Sequence, residues 1–253
     1  MIERGDHRYD LMKNLFADNV SLITVRRVEA GDANHFFCSK VPLVLHSTSA
    51  KESNFVFPLY LYSEGLFGVE KRANISEEYL AELAAIVGEV PSPESVFGFV
   101  YATLHSPHYR SRFAAFLKTD FPRVPLPTSS TRFRELADWG AQLVALHTLD
   151  SQSAPVLREK RHALSVGSDL VEKPRYDIGE RKIYINATQS FDNVDAATYA
   201  FKIGGYTVAD KWLSDRKGRV LSFEERRLYP QILVALAETR KVMAAIDAEL
   251  YSM

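Results

Sequence analysis

The hydrophobic positions of residues 1–70 follow a spacing that is typical of β-strands. Runs rich in β-branched and aromatic residues lie at 20–25, 35–38 and 55–62, and the last run alternates its aromatic residues. Gly65 and Gly68 then indicate a turn. The sequence therefore predicts a β-rich part over residues 1–70.

From residue 75 to residue 150 the apolar residues recur at helical spacing. Serine and proline residues mark the predicted helix starts, and the helices cover 76–87, 92–106, a segment beginning at 107, and 130–149. A proline-rich connector at 121–127 is predicted to be extended, because proline disfavours helix at the residue before it.

The remaining residues combine short strands with one long helix. Weak periodicity predicts a variable loop over 150–170, and a strand–turn–strand pattern predicts a hairpin over 170–186, followed by strand-like residues at 199–206 and 211–213. Ser222 and Glu225 form a capping-box pattern that begins the final helix, and Pro230 is expected to delay or bend its start.

Together the patterns predict an α+β fold with a β-rich core, packed helices and a long C-terminal helix. We find no internal repeat and no clear domain boundary. The chain is therefore predicted to be a single composite domain over 1–253, with a β-rich part (1–70), a helical part (75–150), a β-hairpin part (151–220) and a C-terminal helix (221–253).

Composition and charge exclude several classes of protein. The 253 residues are 46% hydrophobic and 25% charged, an ordinary globular balance. The single cysteine, Cys38, cannot form an internal disulfide and suits a reducing cytosol, and the apolar runs are too short to span a bilayer. With a charged N-terminus that does not resemble a signal peptide, we expect a cytoplasmic protein.

The net charge of −1 gives no general case for nucleic-acid binding, but the basic residues are clustered. Six lie between residues 108 and 134 against Asp120 alone, and four lie between residues 211 and 219 against Asp215 alone. Such clusters can contact phosphates, although a merely solvated surface is the alternative.

Motifs for catalysis are missing. The segment 65–68 has the wrong spacing for a phosphate-binding loop, and His105 and His108 lack a third metal ligand, which favours a capping or packing role. The tetrapeptide with which adenine methyltransferases grip the flipped base and their cofactor-binding glycine loop are also absent. We therefore expect no catalysis, metal or cofactor in this chain alone.

Two long passages carry a resemblance to a known family. The first is FGFVYATLHSPHYR at 97–110, continued by KTDFPRVPL at 118–126; the second comprises VEKPRY at 171–176, IYIN at 183–186, IGGY at 203–206 and KWLSDRKGR at 211–219. Both are similar to the C-terminal target-recognition segment of Type ISP restriction-modification enzymes and related large N6-adenine DNA methyltransferases. RYDLM at 8–12 resembles the point where the methyltransferase core of that family joins this segment.

The resemblance implies a role within a larger enzyme. In that family a nuclease, a helicase-like ATPase and a methyltransferase precede the recognition segment, and S-adenosylmethionine, ATP and Mg²⁺ are expected in those other domains. The implied partners are double-stranded DNA and the catalytic domains, in cis or in trans, with no membrane. The chain would then be an excised segment, a split subunit or a truncated reading frame.

A recognition domain needs cations for phosphates and rigid polar side chains for base edges. The candidates on predicted loops and hairpins are Arg26, Arg27, Lys173, Arg175, Asn186, Gln189, Lys211, Arg216, Lys217 and Arg219. Each could instead stabilise the fold, and Trp212 is expected to be a core residue. A signature shared by enzymes with different targets should hold the scaffold or contact phosphate, so specificity is expected in the unpatterned stretches 28–54 and 150–170.

Two other functions stay open. The long helices would also suit a spacer or interaction domain that couples the methyltransferase to the helicase–nuclease part without reading bases. A third alternative is an enzyme whose site has no recognisable motif.

Overall fold

The computed structural model describes residues 13–29, 34–43, 53–65, 68–159, 165, 167–203 and 206–251. These residues belong to two compact units, one formed by 1–148 with 243–253 and the other by 149–242. Helices and antiparallel sheets occur together, which confirms the predicted α+β class with its long C-terminal helix. The organisation as one composite domain stays a prediction.

The first unit begins with a short 3-10 helix (Lys13–Leu15) and a three-stranded antiparallel sheet. Strand β1 (Ser21–Val25) lies between β2 (Phe36–Ser39) and β3 (Asn54–Pro58). Apart from Asn54 opposite Val25, the residues that face one another across β1 are apolar or small, with Ile23 opposite both Phe37 and Val56. Ile23, Val56 and Leu15 are buried together, so β1 is the central strand of a small core.

The run at 55–62 does not form one strand, which corrects the predicted continuous strand. It divides at Leu59 into β3 and β4 (Tyr60–Gly65), and β4 pairs with β5 (Gly68–Ala73) in a separate hairpin. The buried Asn19 side chain marks the division: its Oδ1 accepts from Tyr60 N at 3.1 Å and its Nδ2 donates to Tyr60 O at 2.8 Å. Because Asn19 satisfies both backbone groups of Tyr60, the chain can leave one sheet and enter the other.

The predicted helices of the first unit are confirmed, except that the helix predicted to begin at 107 is divided at Phe113 into two short helices. They are α1 (Glu77–Val87), α2 (Pro93–His105), α3 (Pro107–Arg112), α4 (Ala114–Leu117) and α5 (Ser130–His147). The residue before the first, second, third and fifth helix is a serine whose side chain accepts a backbone N–H of the first turn. Local capping signals therefore located the starts of these helices.

The backbones of helices α2 and α5 are in close contact at Gly98 and Gly140. A Cβ at Gly140 would lie 1.8 Å from the Gly98 carbonyl oxygen, and a Cβ at Gly98 would lie 2.4 Å from the Ala137 carbonyl oxygen. Neither position has room for a side chain. The two glycines thus allow the helix backbones to touch, and α2 carries much of the first family-like passage.

In residues 97–110 of that passage, the polar side chains form a largely buried network with His147. His147 Nδ1 lies 2.7 Å from Tyr101 Oη, and His105 Nδ1 lies 2.8 Å from the Tyr101 carbonyl oxygen. Arg110 Nε donates to the Leu104 carbonyl at 2.6 Å. Burial and the nearby Arg110 charge lower the pKa of His147 to about 4, and burial together with Arg110 holds the pKa of His105 well below its ordinary value. These histidines are therefore neutral packing residues, as the sequence predicted for His105.

Because His105 and His147 resist protonation in the folded protein, the protein should lose stability in acid. Below pH 6.5 the unfolded chain binds protons at these rings, whereas folded His147 does so only near pH 4. The free energy of unfolding should therefore fall between about pH 6.5 and pH 4, by up to about 1.4 kcal/mol per pH unit for each histidine. The free energy of unfolding, measured with urea, should fall less between pH 7 and pH 5 in His147→Gln than in the native chain, because glutamine does not titrate. An identical loss in both proteins would contradict this assignment.

In the second unit, helix α6 (Val156–Glu159) lies within the stretch predicted as a loop, and a three-stranded sheet has the order β6 (Arg175–Asp177), β7 (Lys182–Tyr184), β8 (Ser190–Phe191). The β6–β7 pairing confirms the predicted hairpin. The inner face of the sheet contributes Ile183 and Phe191 to a core that also contains Val171, Leu213 and Tyr229.

Of two further strand predictions in this unit, the one at 211–213 is wrong and the one at 199–206 is only partly right. The stretch 199–206 ends helix α7 (Ala196–Tyr199) and then forms the two-residue strands β9 (Lys202–Ile203) and β10 (Tyr206–Thr207), while 211–213 lies in helix α8 (Val208–Ser214). Asp195 explains why Tyr199 is helical, since its carboxylate caps α7 by accepting a hydrogen bond from Thr198 N at 2.9 Å.

The final helix, α9 (Phe223–Tyr251), begins at the predicted capping box and continues through Pro230. Ser222 and Glu225 exchange backbone hydrogen bonds, Glu225 N donating to Ser222 Oγ and Ser222 N donating to Glu225 Oε2. Pro230 therefore does not delay the start of the helix. Within the described ranges, none of the helices is long and apolar enough to cross a membrane.

Candidate nucleic-acid interface

The outward face of the β6–β7 hairpin is polar and aromatic. Arg175 and Tyr184 are cross-strand partners, and the Arg175 guanidinium carbon lies 3.9 Å from the centre of the Tyr184 ring. Arg175 also pairs with Asp177 at 3.5 Å, and the Tyr184 hydroxyl donates to Glu180. The inner-face residue Ile183 is buried beneath them. A side chain such as Arg175 is thus held on a rigid strand while half of it stays exposed.

Asn186 and Gln189 occupy a different environment, because both are buried, with 6% and 2% of their surface exposed. Asn186 Nδ2 donates to the carbonyls of Ser168 (2.6 Å) and Leu170 (3.0 Å), and Asn186 Oδ1 accepts from Gln189 N (2.9 Å). Gln189 Nε2 donates to the Ser165 carbonyl and to Asp169. This geometry argues against the prediction that the two amides read base edges, so we leave them out of the proposed contact set.

The basic segment 211–219 is divided between structural and exposed cations. Arg216 lies 3.6 Å from the centre of the Trp212 ring, and its Nε donates to Glu225 at 2.8 Å. With its side chain only 22% exposed, Arg216 stabilises the start of α9. Trp212 itself stacks on Tyr229 at 4.7 Å between ring centres, which agrees with its predicted core position.

The neighbours of Arg216 point to solvent. Arg219 shares Glu225 at 2.7 Å but is 57% exposed, and Lys211 pairs with Asp215 one helical turn away. Lys217 is exposed beside Gly218, whose φ of +80° suits the turn between α8 and α9. The three exposed cations therefore lie around one turn, as the sequence predicted, while Arg216 does not join them.

The remaining candidates lie on other loops. Arg26 and Arg27 follow β1, and Lys173 precedes β6; all three are exposed. Arg26 pairs with Asp120, whereas Arg27, Lys173 and Lys217 form no ion pair within the described part of the chain. Arg181, an exposed cation at φ 55° in the hairpin turn, is a further cation that the sequence did not single out, because Gly179 marks the turn without indicating which side chains it exposes.

The stretches expected to carry specificity are only partly described. Parts of both stretches lie outside the described residues: 30–33 and 44–52 in the first, and 160–164 and 166 in the second. Over the described ranges, no group of three or more histidine, cysteine or carboxylate side chains could hold a metal ion. The candidate interface therefore consists of the exposed cations and the rigid elements that carry them.

Comparison with known proteins decides the family. The model of the Type ISP C-terminal specificity domain matches residues 1–245. The chain belongs to this family. A Type ISP specificity domain is a recognition part of a restriction enzyme rather than one of its catalytic parts. A comparison with curated protein sequences gives no significant match.

Solved structures similar to this Type ISP specificity domain support the fold. The chain is similar to a DrdV–DNA complex (TM-score 0.70, 20% identity, 90% of this chain and 24% of that one). It is also similar to the ATP-dependent Type ISP restriction-modification enzyme LlaBIII bound to DNA (TM-score 0.68, 16% identity, 91% and 16%). A nuclease-deletion mutant of the Type ISP enzyme LlaGI with a DNA substrate mimic follows (TM-score 0.60, 18% identity, 90% and 21%). The chain thus spans a quarter or less of the length of these proteins.

Proposed function

We propose that the chain is the DNA sequence-recognition module of a Type ISP-like restriction-modification enzyme with N6-adenine methyltransferase activity. Its role would be to position the target for methylation and restriction by other domains. The observation that carries the proposal is the family match over residues 1–245. The three similar structures are complexes with DNA or with a DNA substrate mimic, which supports duplex DNA as the partner.

The exposed cations supply the chemistry that such a module needs. Lys173, Lys217 and Arg27 are exposed and not neutralised by an ion pair within the described residues, so each is available for a phosphate. Arg175 and Lys211 have ion-pair partners, Asp177 and Asp215, that are at least one-third exposed, and a phosphate could replace them at little cost because exposed pairs are weak. Arg219 would keep its pair with the largely buried Glu225 and offer its exposed side to a phosphate. Base reading then falls to the hairpin face and to the stretches 28–54 and 150–170.

Catalysis is proposed to belong to other domains of the enzyme. S-adenosylmethionine, ATP and Mg²⁺ would be bound there, and the methyltransferase and helicase–nuclease domains would be partners in cis or in trans. An enzyme of this kind acts on DNA in the cytoplasm.

The competing proposal is a spacer domain. It is favoured by α9, whose 29 residues extend about 43 Å at 1.5 Å per residue. Fluorescence anisotropy with a labelled duplex over a potassium chloride series separates the two functions. A recognition module should bind with an affinity that falls steeply as salt rises, whereas a spacer should bind at no salt concentration.

A further inference from the structure

Two segments that are far apart in sequence form one surface in the first unit. Val28 N donates to the Lys118 carbonyl at 3.1 Å, which joins the end of β1 to the segment that follows α4. Val28 and Leu117 are buried in the same core, against which Val124 also packs. The segments 26–28 and 118–123 are therefore held together by both a hydrogen bond and apolar packing.

This surface, which we name the β1–connector surface, is positively charged. It carries Arg26, Arg27, Lys118 and Arg123, and its carboxylates are Asp120 and the adjoining Glu29, so the net charge is four minus two, or +2. Asp120 is already engaged, because Arg26 Nε donates to it at 3.0 Å, and this bond lowers the pKa of Asp120. Arg27 and Lys118 are exposed and form no ion pair among the described residues.

Two of the cations lie against aromatic rings. Phe121 packs edge-on against Phe55 and Phe57, with ring centres 5.0 and 5.6 Å apart. The guanidinium carbon of Arg26 lies 5.7 Å from the centre of the Phe121 ring, and that of Arg123 lies 5.3 Å from the centre of Phe116. The two arginines are thus restrained on rigid rings, which reduces the entropy that they would lose on binding a ligand.

We propose that the β1–connector surface contacts the phosphate backbone of duplex DNA and fixes the position of the domain without reading bases. The inference rests on the proposed function, since it assumes that the chain binds DNA. Guanidinium and ammonium groups on a rigid base suit phosphates, and phosphates are the same in every DNA sequence.

The test compares two charge-matched triple variants of the full chain by anisotropy with a labelled duplex of fixed sequence. In Arg27→Gln/Lys118→Gln/Arg123→Gln, the slope of log affinity against log salt should fall by about 2 to 3, because each lost phosphate contact removes about 0.9. Affinity at low salt should fall roughly 10- to 100-fold. Arg72→Gln/Arg134→Gln/Arg227→Gln removes the same charge at exposed positions outside the surface and outside the stretches proposed to read bases, and it should leave the slope unchanged.

Selection from a randomised duplex pool completes the test. The first triple variant should enrich the same sequence as the native chain, because the surface is proposed to contact phosphate alone. If that variant kept the salt slope of the native chain, or enriched a different sequence, the inference would be overturned while the proposed function would stand. Lys118→Gln alone, at an exposed position, should lower the slope by about 1 if the triple variant does not fold. Failure of the native chain to bind any duplex would instead contradict the proposed function itself.

Discussion

Gly140→Ala should unfold or strongly destabilise the first unit. Alanine in a helix is ordinarily more favourable than glycine by about 1 kcal/mol, so helix propensity alone predicts stabilisation. At Gly140, however, the new Cβ would lie 1.8 Å from the Gly98 carbonyl oxygen, and backbone atoms of α2 would have to move. We expect a loss of roughly 3 to 5 kcal/mol in the free energy of unfolding, at the upper end of overpacking effects.

Urea unfolding followed by circular dichroism measures this loss. Gly179→Ala is the matched control, because a Cβ there meets only Asp177 Oδ1 at 3.5 Å, an ordinary contact. Gly98→Ala should also be destabilising, since its Cβ would lie 2.4 Å from the Ala137 carbonyl oxygen. If Gly140→Ala were as stable as the native chain, the close α2–α5 crossing would be wrong.

Asn186→Ala should cost roughly 3 kcal/mol of stability in the second unit, rather than alter which DNA sequence is preferred. The change removes two hydrogen bonds that Asn186 donates to the Ser168 and Leu170 carbonyls and two that it accepts from Thr188 N and Gln189 N. Because the side chain is buried, water replaces these partners poorly, and each unsatisfied buried group costs about 1 kcal/mol or more.

Thr188→Ala is the control for this prediction. Thr188 is exposed, and its hydroxyl makes a single 3.3 Å hydrogen bond to Asn186 Oδ1, so its loss should change stability by less than about 1 kcal/mol. Unfolding curves and selection from a duplex pool are measured on both variants. Native stability together with a new preferred sequence in Asn186→Ala would restore Asn186 as a base-reading residue.

The parts of the fold that sequence predicted well depend on neighbouring residues. The serines before α1, α2, α3 and α5 cap their own first turns, and the hairpin around β6 and β7 is closed by the four residues between its strands. Both signals lie within a few positions of the element that they start or close. Periodicity and capping therefore located these elements without any knowledge of the tertiary structure.

The parts that sequence did not predict depend on distant partners. The strand at 55–62 is divided by Asn19, and Arg26 lies beside Asp120, 94 positions away. Burial of Asn186 likewise depends on carbonyls at 168 and 170. An asparagine whose amide bonds to the backbone of a buried loop cannot be distinguished in the sequence from one whose amide bonds to adenine. Only the packing around the side chain distinguishes the two roles.

Sequence reading itself is tested most directly by selecting the native chain against a fully randomised duplex pool at moderate salt. We expect enrichment of one sequence motif, and a duplex with that motif should compete for the chain about 10³-fold or more better than an unrelated duplex. Salt-dependent binding with no enriched motif, or equal competition by both duplexes, would contradict the central claim that this domain recognises a DNA sequence.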